Sequence, residues 1–165
     1  MKDGKRATVG GSFMLLEDYT RGPLFVAPSA SARTHKDVFE RHLNAEWVSD
    51  IEGTMATIHP DAPFQKIPAL GVDVQGFEGV RQFYEGRFAS WPGPALKHFD
   101  RVAVTDTCIY VEGLMEVESN GEFHGLEVAG RRISAPVVIV LEFRDGLLSG
   151  ETVYMDSATV KGAGT

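Results

Sequence analysis

Three polar side chains lie at four-residue intervals inside the apolar stripe of a predicted helix. The stripe has an apolar residue at every fourth position from Phe39 to Ile51, and His42, Glu46 and Asp50 fall within about 60° of Phe39 when successive residues turn by about 100°. Polar groups on a buried face are costly unless they are hydrogen-bonded or face a wet pocket. The pattern predicts a pocket wall in which Glu46 and Asp50 orient His42, and His42 binds a reacting oxygen.

Each member of this ladder also has a structural interpretation. Asp50 can cap a second short helix, Glu46 can pair with one of the arginines 41, 81 or 87, and His42 can be a core histidine with satisfied hydrogen bonds. The spacing of His42 and Glu46 suits a metal ion, but the sequence places no further ligand within reach. We therefore expect no metal.

The end of the chain is expected to place a phenol and a carboxyl on an apolar wall. Asp145-Gly146 predicts a two-residue hairpin turn, which pairs Tyr154 with Val137 and gives Tyr154 and Asp156 the same face. A desolvated carboxyl has a raised pKa and can act as a general acid or base near neutral pH. Asp156 is therefore the predicted proton carrier and Tyr154 the predicted oxyanion ligand. The alternative is that Asp156 lies at the solvent edge or caps the following turn.

The elements that must position these residues change character along the chain. Residues 1–35 have no sustained period, the apolar spacing is mainly helical from about Thr34 to Trp91, and after Leu96 it alternates as in strands. Helices are predicted from about Thr34 to Val48, Ile51 to Ile58 and Glu78 to Trp91, and strands over Pro63–Ile67, Arg101–Val104, Cys108–Glu118, Leu126–Val128, Ile133–Arg144 and Leu147–Met155. This order indicates an α+β fold, in which a curved antiparallel sheet wraps around the N-terminal helices and encloses a cone-shaped cavity.

A substrate in such a cavity needs an apolar wall. The residues expected to line it, mostly aromatic side chains of the first and third helices, are Phe39, Phe83, Tyr84, Phe88, Trp91 and, on the central strand, Ile139. His98 and His124 lie beside predicted strands and are further candidates for the same cavity. Their alternative is a surface or loop position.

Composition and charge exclude several classes of function. The chain has 165 residues, and its 23 acidic and 16 basic side chains give a net charge of -7, which argues against nucleic acid or an anionic membrane as a partner. A single cysteine excludes an internal disulfide and a cysteine zinc cluster. No apolar run approaches the ~20 residues of a membrane span. We expect a cytoplasmic protein with one domain over residues 36–160, an arm over 1–35 and a tail over 161–165.

Two groups of residues, one early and one late, resemble those of a known family. They are His42-x-x-Ala45-Glu46-x-x-x-Asp50 and, at the end of the chain, Arg144-Asp145-Gly146-Leu147 before Glu151-x-x-Tyr154-x-Asp156. With the order of elements, they resemble the SnoaL-like polyketide cyclase (ester cyclase) family of the nuclear transport factor 2 superfamily over about residues 36 to 160. The resemblance implies a cone-shaped α+β barrel, a pocket for a small molecule, no cofactor, and a homodimer formed through the sheet.

The resemblance also implies roles for particular carboxyls. Asp156 occupies the place of the acid/base carboxyl that the family's cyclases use for an intramolecular aldol closure, and Glu142 stands where they have a partner histidine. By simple alternation Glu142 faces away from Asp156 unless a bulge near Leu147-Leu148 shifts the hairpin register. The related ketosteroid isomerases need a carboxyl directly before a proline after the first strand, where this chain has Ile67. Limonene-epoxide-hydrolase-like enzymes need an Arg-x-Asp on a central strand, and the predicted strands contain none.

The leading hypothesis from the sequence is a cofactor-free acid/base enzyme for a small, largely apolar substrate that carries a carbonyl or is polycyclic. Asp156 would transfer the proton, while Tyr154 and His42 would bind the developing oxyanion. The alternative is a non-catalytic ligand-binding or dimerisation module of the same fold.

Overall fold

A computed structural model describes residues 13–93, 95–118, 120–123, 126–127, 130, 132–156 and 158–159. These residues form an α+β fold, as predicted. The helices are α1 (Leu16–Tyr19), α2 (Ala30–Trp47), α3 (Ile51–Met55) and α4 (Phe77–Ser90), and the strands are β1 (Leu24–Val26), β2 (Phe64–Ile67), β3 (Val72–Gln75), β4 (Leu96–Val104), β5 (Cys108–Glu118), β6 (Glu122–Phe123), β7 (Leu126–Glu127), β8 (Arg132–Arg144) and β9 (Leu147–Met155).

One large sheet of the described residues carries the cavity wall, with the strand order β1-β4-β5-β8-β9-β2-β3. Its four long strands, β4, β5, β8 and β9, are antiparallel to one another, whereas the outer pairs β1–β4 and β2–β9 are parallel, which the sequence analysis did not predict. Every second residue of β8 from Ile133 to Leu141 is buried, so this strand turns one apolar face inward. Helices α2 and α4 contact the sheet on the inner side. The space between the helices and this inner face holds the cavity.

The turn between β8 and β9 has the predicted residues but not the predicted register. Asp145 and Gly146 have φ angles of 51° and 76°, as a two-residue hairpin turn requires. Beyond the turn the register shifts: Phe143 pairs with Leu148, but Glu142 pairs with Gly150. One extra residue therefore lies on β9, which is a β-bulge. Beyond a bulge, the side chains of a strand point to the face opposite to the one expected without it. Every candidate residue on β9 therefore lies on the opposite face of the sheet from the predicted one.

The N-terminal segment packs on α2 through buried polar side chains. The Asn44 side chain, which is fully buried, accepts from the Met14 backbone N–H at 3.0 Å and donates to the Met14 carbonyl at 2.8 Å. Glu40, also buried, accepts from the Leu16 N–H at 2.7 Å. These contacts hold α1 against the domain. Helix α2 begins at Ala30, so the predicted boundary at residue 35 falls inside it.

Loss of the Asn44 amide is expected to release this segment. The Asn44→Ala variant leaves two backbone groups of Met14 without their partner, so we expect the free energy of unfolding to fall by about 1–3 kcal/mol. We also expect faster trypsin cleavage after the exposed Arg21. Urea unfolding and a proteolysis time course measure both effects. Thr34→Ala is the control, because the Thr34 hydroxyl is exposed and bonds only within its own helix. Equal stability and cleavage in wild type and Asn44→Ala would contradict this assignment.

In the part of the chain that the structure describes, no helix is both long and apolar enough to cross a membrane.

Candidate active site

A cavity of about 80 Å³ lies between α2, α4 and the inner face of the sheet. Its volume is several times what one buried water requires. The lining is largely apolar with a few polar side chains, the usual composition of a small-molecule site. The lining residues are Tyr19, Leu43, Glu46, Trp47, Gln65, Ile67, Phe83, Tyr84, Arg87, Trp91, Ala95, Leu96, Phe99, Met115, Val137, Ile139, Glu151, Val153 and Met155.

A chain of hydrogen bonds runs from the turn after α3 to the cavity wall on β9. The Thr57 hydroxyl lies 2.7 Å from Nδ1 of the buried His42, and His42 Nε2 lies 3.1 Å from the Tyr84 hydroxyl. Tyr84 in turn donates to Glu151 Oε2 at 3.2 Å. Glu46 Oε1 lies 3.1 Å from the same His42 Nε2. The chain therefore links two carboxyls, Glu46 and Glu151, through one imidazole and one phenol.

The donors and acceptors around His42 define the hydrogens on its ring. The Thr57 hydroxyl donates to the Thr54 carbonyl at 2.6 Å, so its oxygen can only accept from His42 Nδ1. Tyr84 donates to Glu151, so its oxygen also accepts, and Glu46 accepts as a carboxylate. Every partner of the ring can thus accept a hydrogen from it, so His42 is placed to act as a donor in this network.

Glu46 is the ionised partner of two buried bases. Burial alone would raise its pKa, but the Arg87 guanidinium and the hydrogen bond from His42 outweigh burial and lower the pKa of Glu46 from 4.5 to about 2. Arg87 Nη2 lies 3.5 Å from Glu46 Oε2, and the Arg87 side chain is almost completely buried. Glu46 is therefore a carboxylate at neutral pH.

Glu151 has the opposite electrostatic environment. Burial raises its pKa, and the negative charge of Glu46 raises it further, against smaller opposing effects of His42, Tyr84 and Gln65. Burial and the two neighbouring carboxylates likewise raise the pKa of Tyr84 well above 10, so Tyr84 stays a neutral donor. A carboxyl with a raised pKa, on the wall of an apolar cavity, is equipped to accept and return a proton.

The sequence-based placement of the carboxyls on β9 was wrong. Because of the bulge, Tyr154 pairs with Val138 on the outer face of the sheet and is 52% exposed. Asp156 is exposed and accepts from the Ala158 N–H at 3.0 Å and from the Thr159 hydroxyl at 2.6 Å, so it caps the turn after the strand. These bonds lower the pKa of Asp156. Glu151 takes the inward position that the sequence analysis gave to Asp156.

Two other predicted catalytic carboxyls also lie away from the cavity wall. Glu142 is exposed, on the face of β8 opposite to Ile139 and Leu141. Asp50 is the N-cap of α3 and accepts from the Gly53 N–H at 3.0 Å, so it does not orient His42. The predicted pairing of His42 with Glu46 is present, and so is the alternative pairing of Glu46 with Arg87.

The predicted lining is partly found around the cavity. Phe83, Tyr84, Trp91 and Ile139 line it. Phe39 and Phe88 do not, because Phe39 packs in the core beside Phe99 with ring centroids 6.1 Å apart and Phe88 lies beneath the Arg87 guanidinium, 4.9 Å from it. His98 pairs with Asp100 at 3.3 Å instead of facing the cavity. His124 lies outside the described residues.

Three possible metal-ligand atoms meet at this site. They belong to His42, Glu46 and Glu151 and lie within 4.8 Å of one another. Both nitrogens of His42 are already engaged by protein groups, and the Arg87 cation neighbours Glu46. A cation at this position would have to displace those bonds and approach a guanidinium. The described contacts therefore fit a hydrogen-bonded acid/base network better than a metal centre.

Comparison with known proteins identifies a family for this chain and solved structures with a similar fold. The family model of the SnoaL-like domain matches residues 39–150. The chain is similar to a candidate polyketide cyclase from Xanthomonas campestris, with 15% identity and a TM-score of 0.69 over 81% of this chain and 98% of that one. A second such protein, from Silicibacter, has 18% identity and a TM-score of 0.69 over 81% and 96% of the two chains. A candidate SnoaL-like polyketide cyclase from Jannaschia has 16% identity and a TM-score of 0.66 over 82% and 96%. A search of curated proteins found no match.

Proposed function

Since this chain belongs to the SnoaL-like domain family, we propose that it is a cofactor-independent acid/base enzyme in which Glu151 transfers a proton next to a carbonyl of a small, largely apolar substrate. The observation that supports this most is the position of Glu151. Its carboxyl lies on the cavity wall, its pKa is raised by burial, and it accepts a hydrogen bond from Tyr84. The polyketide cyclases among similar structures agree with such a reaction.

The proposed reaction moves one proton and one electron pair. The Glu151 carboxylate removes a proton from the carbon next to the substrate carbonyl, and the C–H electrons form an enolate whose charge develops on the carbonyl oxygen. Protonated Glu151 no longer needs the Tyr84 hydrogen bond, so the Tyr84 hydroxyl can donate to that oxygen. Glu151 then returns its proton, either to the far carbon of an enolate that is conjugated with a C=C bond or to the alkoxide formed when the enolate attacks a second carbonyl. The first outcome is an isomerisation and the second is an aldol cyclisation.

His42 and Glu46 act in this proposal as positioning residues. His42 donates to the Tyr84 oxygen and so keeps the Tyr84 hydrogen directed toward Glu151 and the cavity. Glu46 holds the His42 ring, and Arg87 holds Glu46. Because these groups are buried and already in place, they need no reorganisation as charge develops on the substrate.

A carbonyl probe tests the proposed function without knowledge of the natural substrate. We expect the wild-type protein to accelerate deuterium exchange at the carbon next to the carbonyl of 1-indanone in D₂O, with saturation at high ketone concentration, as followed by NMR. Heat-unfolded protein is the control for buffer-like catalysis. Binding of the ketone without accelerated exchange would favour the ligand-binding alternative and contradict the enzyme.

The Tyr84→Phe variant is expected to shift the pH dependence of this exchange toward alkaline pH. The Tyr84 hydrogen bond lowers the pKa of Glu151, so its loss raises that pKa further and moves the rise of the pH–rate profile to higher pH. The maximal rate should also fall by about 10–100-fold, because an oxyanion donor is lost. The rate is measured from pH 4 to pH 9. A profile that is unshifted or moves to lower pH would contradict the coupling.

A further inference from the structure

The cavity contains a buried cation whose terminal nitrogens have no hydrogen-bond acceptor among the described residues. Arg87 is 5% exposed, lines the cavity, and neither Nη1 nor Nη2 makes a hydrogen bond. Its ion pair with Glu46, at 3.5 Å, is close enough for electrostatic attraction but lacks hydrogen-bond geometry. Buried guanidinium hydrogens without acceptors are costly, and native proteins nearly always satisfy them.

A second orphaned donor lines the same cavity. The Tyr19 hydroxyl, on α1, is buried and also has no partner among the described residues. Burial and the nearby carboxylates raise the pKa of Tyr19 to about 12, so it stays a neutral donor. Two different elements, α4 and α1, thus place donors without described partners at the same cavity, whose lining is otherwise largely apolar apart from Glu46, Gln65, Tyr84 and Glu151.

From these donors we infer that the substrate is a small aromatic or unsaturated carboxylic acid, whose carboxylate is bound by Arg87 with Tyr19 as a second donor. A carboxylate offers two oxygens in the plane that a guanidinium fork matches. The apolar part would pack among Phe83, Trp91, Phe99 and the inner face of β8. This inference rests on the proposed function in taking the cavity as the substrate pocket.

The charges around Arg87 agree with an anionic ligand. Glu46 carries the negative charge paired with Arg87, but it is shared with His42, and the pairing leaves the Nη hydrogens of Arg87 without an acceptor among the described residues. A ligand carboxylate at Arg87 would lie where water is largely excluded, so its attraction to the guanidinium is stronger than on the surface.

The test compares an acid with its neutral isostere. Both tryptophans of the chain, Trp47 and Trp91, line the cavity, so their fluorescence reports its occupancy, and calorimetry gives the affinity. We expect trans-cinnamate to bind wild-type protein at least 10-fold more tightly than trans-cinnamamide at pH 7. Arg87→Lys should remove most of this preference, and Tyr19→Phe should reduce it about 3–10-fold while leaving the core folded.

The same measurements give the opposing results. Equal affinity for acid and amide, no cinnamate binding at millimolar concentration, or an unchanged preference in both variants would overturn the inference. If Arg87→Lys fails to fold, the preference for cinnamate measured in Tyr19→Phe still tests the inference.

The Glu151→Gln variant is expected to keep the preference for cinnamate. Preferential binding of cinnamate without deuterium exchange of 1-indanone would therefore support this inference and contradict the proposed function. Deuterium exchange of 1-indanone without a preference for cinnamate would support the proposed function and contradict this inference.

Discussion

Replacing Glu151 by glutamine is expected to lower the deuterium exchange of 1-indanone at least about 100-fold, the usual contribution of a general base. Glutamine keeps the size of the side chain and can still accept from Tyr84, so folding and ligand binding should be retained. The amide of glutamine cannot accept the proton that the Glu151 carboxylate removes from the ketone. Exchange rates at saturating ketone, together with the thermal midpoint and ketone affinity of the variant, separate catalysis from folding and binding.

Asp156→Asn is the matched control for this experiment. Asp156 is the carboxyl that the sequence alone favoured, but its side chain is exposed and caps the turn after β9. We expect this variant to exchange within about twofold of wild type and to lose at most about 1 kcal/mol of stability. Full activity in Glu151→Gln together with loss of activity in Asp156→Asn would reverse the assignment.

Replacing Glu46 by glutamine is expected to destabilise the fold by about 3–5 kcal/mol at neutral pH, because it leaves the buried Arg87 cation without its counter-charge. The Glu46 pKa is lowered in the folded protein from 4.5 to about 2. A lowered carboxyl pKa contributes stability above its unfolded value, and that contribution disappears as the pH falls toward the folded value. The difference between wild type and variant should therefore shrink between about pH 4.5 and pH 2.

Urea unfolding of both proteins from pH 7 to pH 3 measures this difference. Glu85→Ala is a suitable control, since Glu85 is an exposed residue of α4 that only approaches Arg81, at 3.8 Å. We expect it to change stability by less than about 0.5 kcal/mol at every pH. A Glu46→Gln effect below about 1 kcal/mol at pH 7, or one that does not shrink in acid, would contradict the role given to Glu46.

Features that depend on local periodicity were predictable from the sequence. Strands β5 and β9 have the predicted bounds, because strict alternation and a turn signal at Asp145-Gly146 leave little freedom. The His42–Glu46 pair was also predictable, since residues four apart on a helix are neighbours whatever the rest of the fold does. The family resemblance rested on the same local features, and the SnoaL-like fold is confirmed.

The acid/base residue itself was missed because one residue changes the face of a strand. An unshifted hairpin turns Glu151 outward and Asp156 inward, whereas the bulge reverses both. The sequence does hold one signal of the bulge, a glycine inside the strand at position 150. A Cβ at Gly150 would lie 2.1 Å from the Phe64 ring, so the close approach of β2 requires glycine there.

The remaining site residues depend on packing between distant segments. Tyr84 meets His42 and Glu151 only when α4, α2 and β9 are assembled, and the sequence analysis had assigned Tyr84 to the apolar wall. Tyr19 belongs to a segment that precedes the predicted domain and has no periodic pattern. Spacing along the chain carries no information about such contacts.

Carboxyl titration by NMR, with ¹³C-labelled glutamate and aspartate side chains, tests the assignment of Glu151 most directly. Glu151→Gln and Asp156→Asn identify the two signals by their loss. We predict that the pKa of Glu151 lies above 4.5 and that of Asp156 below 3.8. As the pH rises, Glu151 should therefore lose its proton after Asp156. A Glu151 pKa at or below 4.5 would show a solvated or strongly paired carboxylate, and would contradict its role as the proton carrier of this cavity.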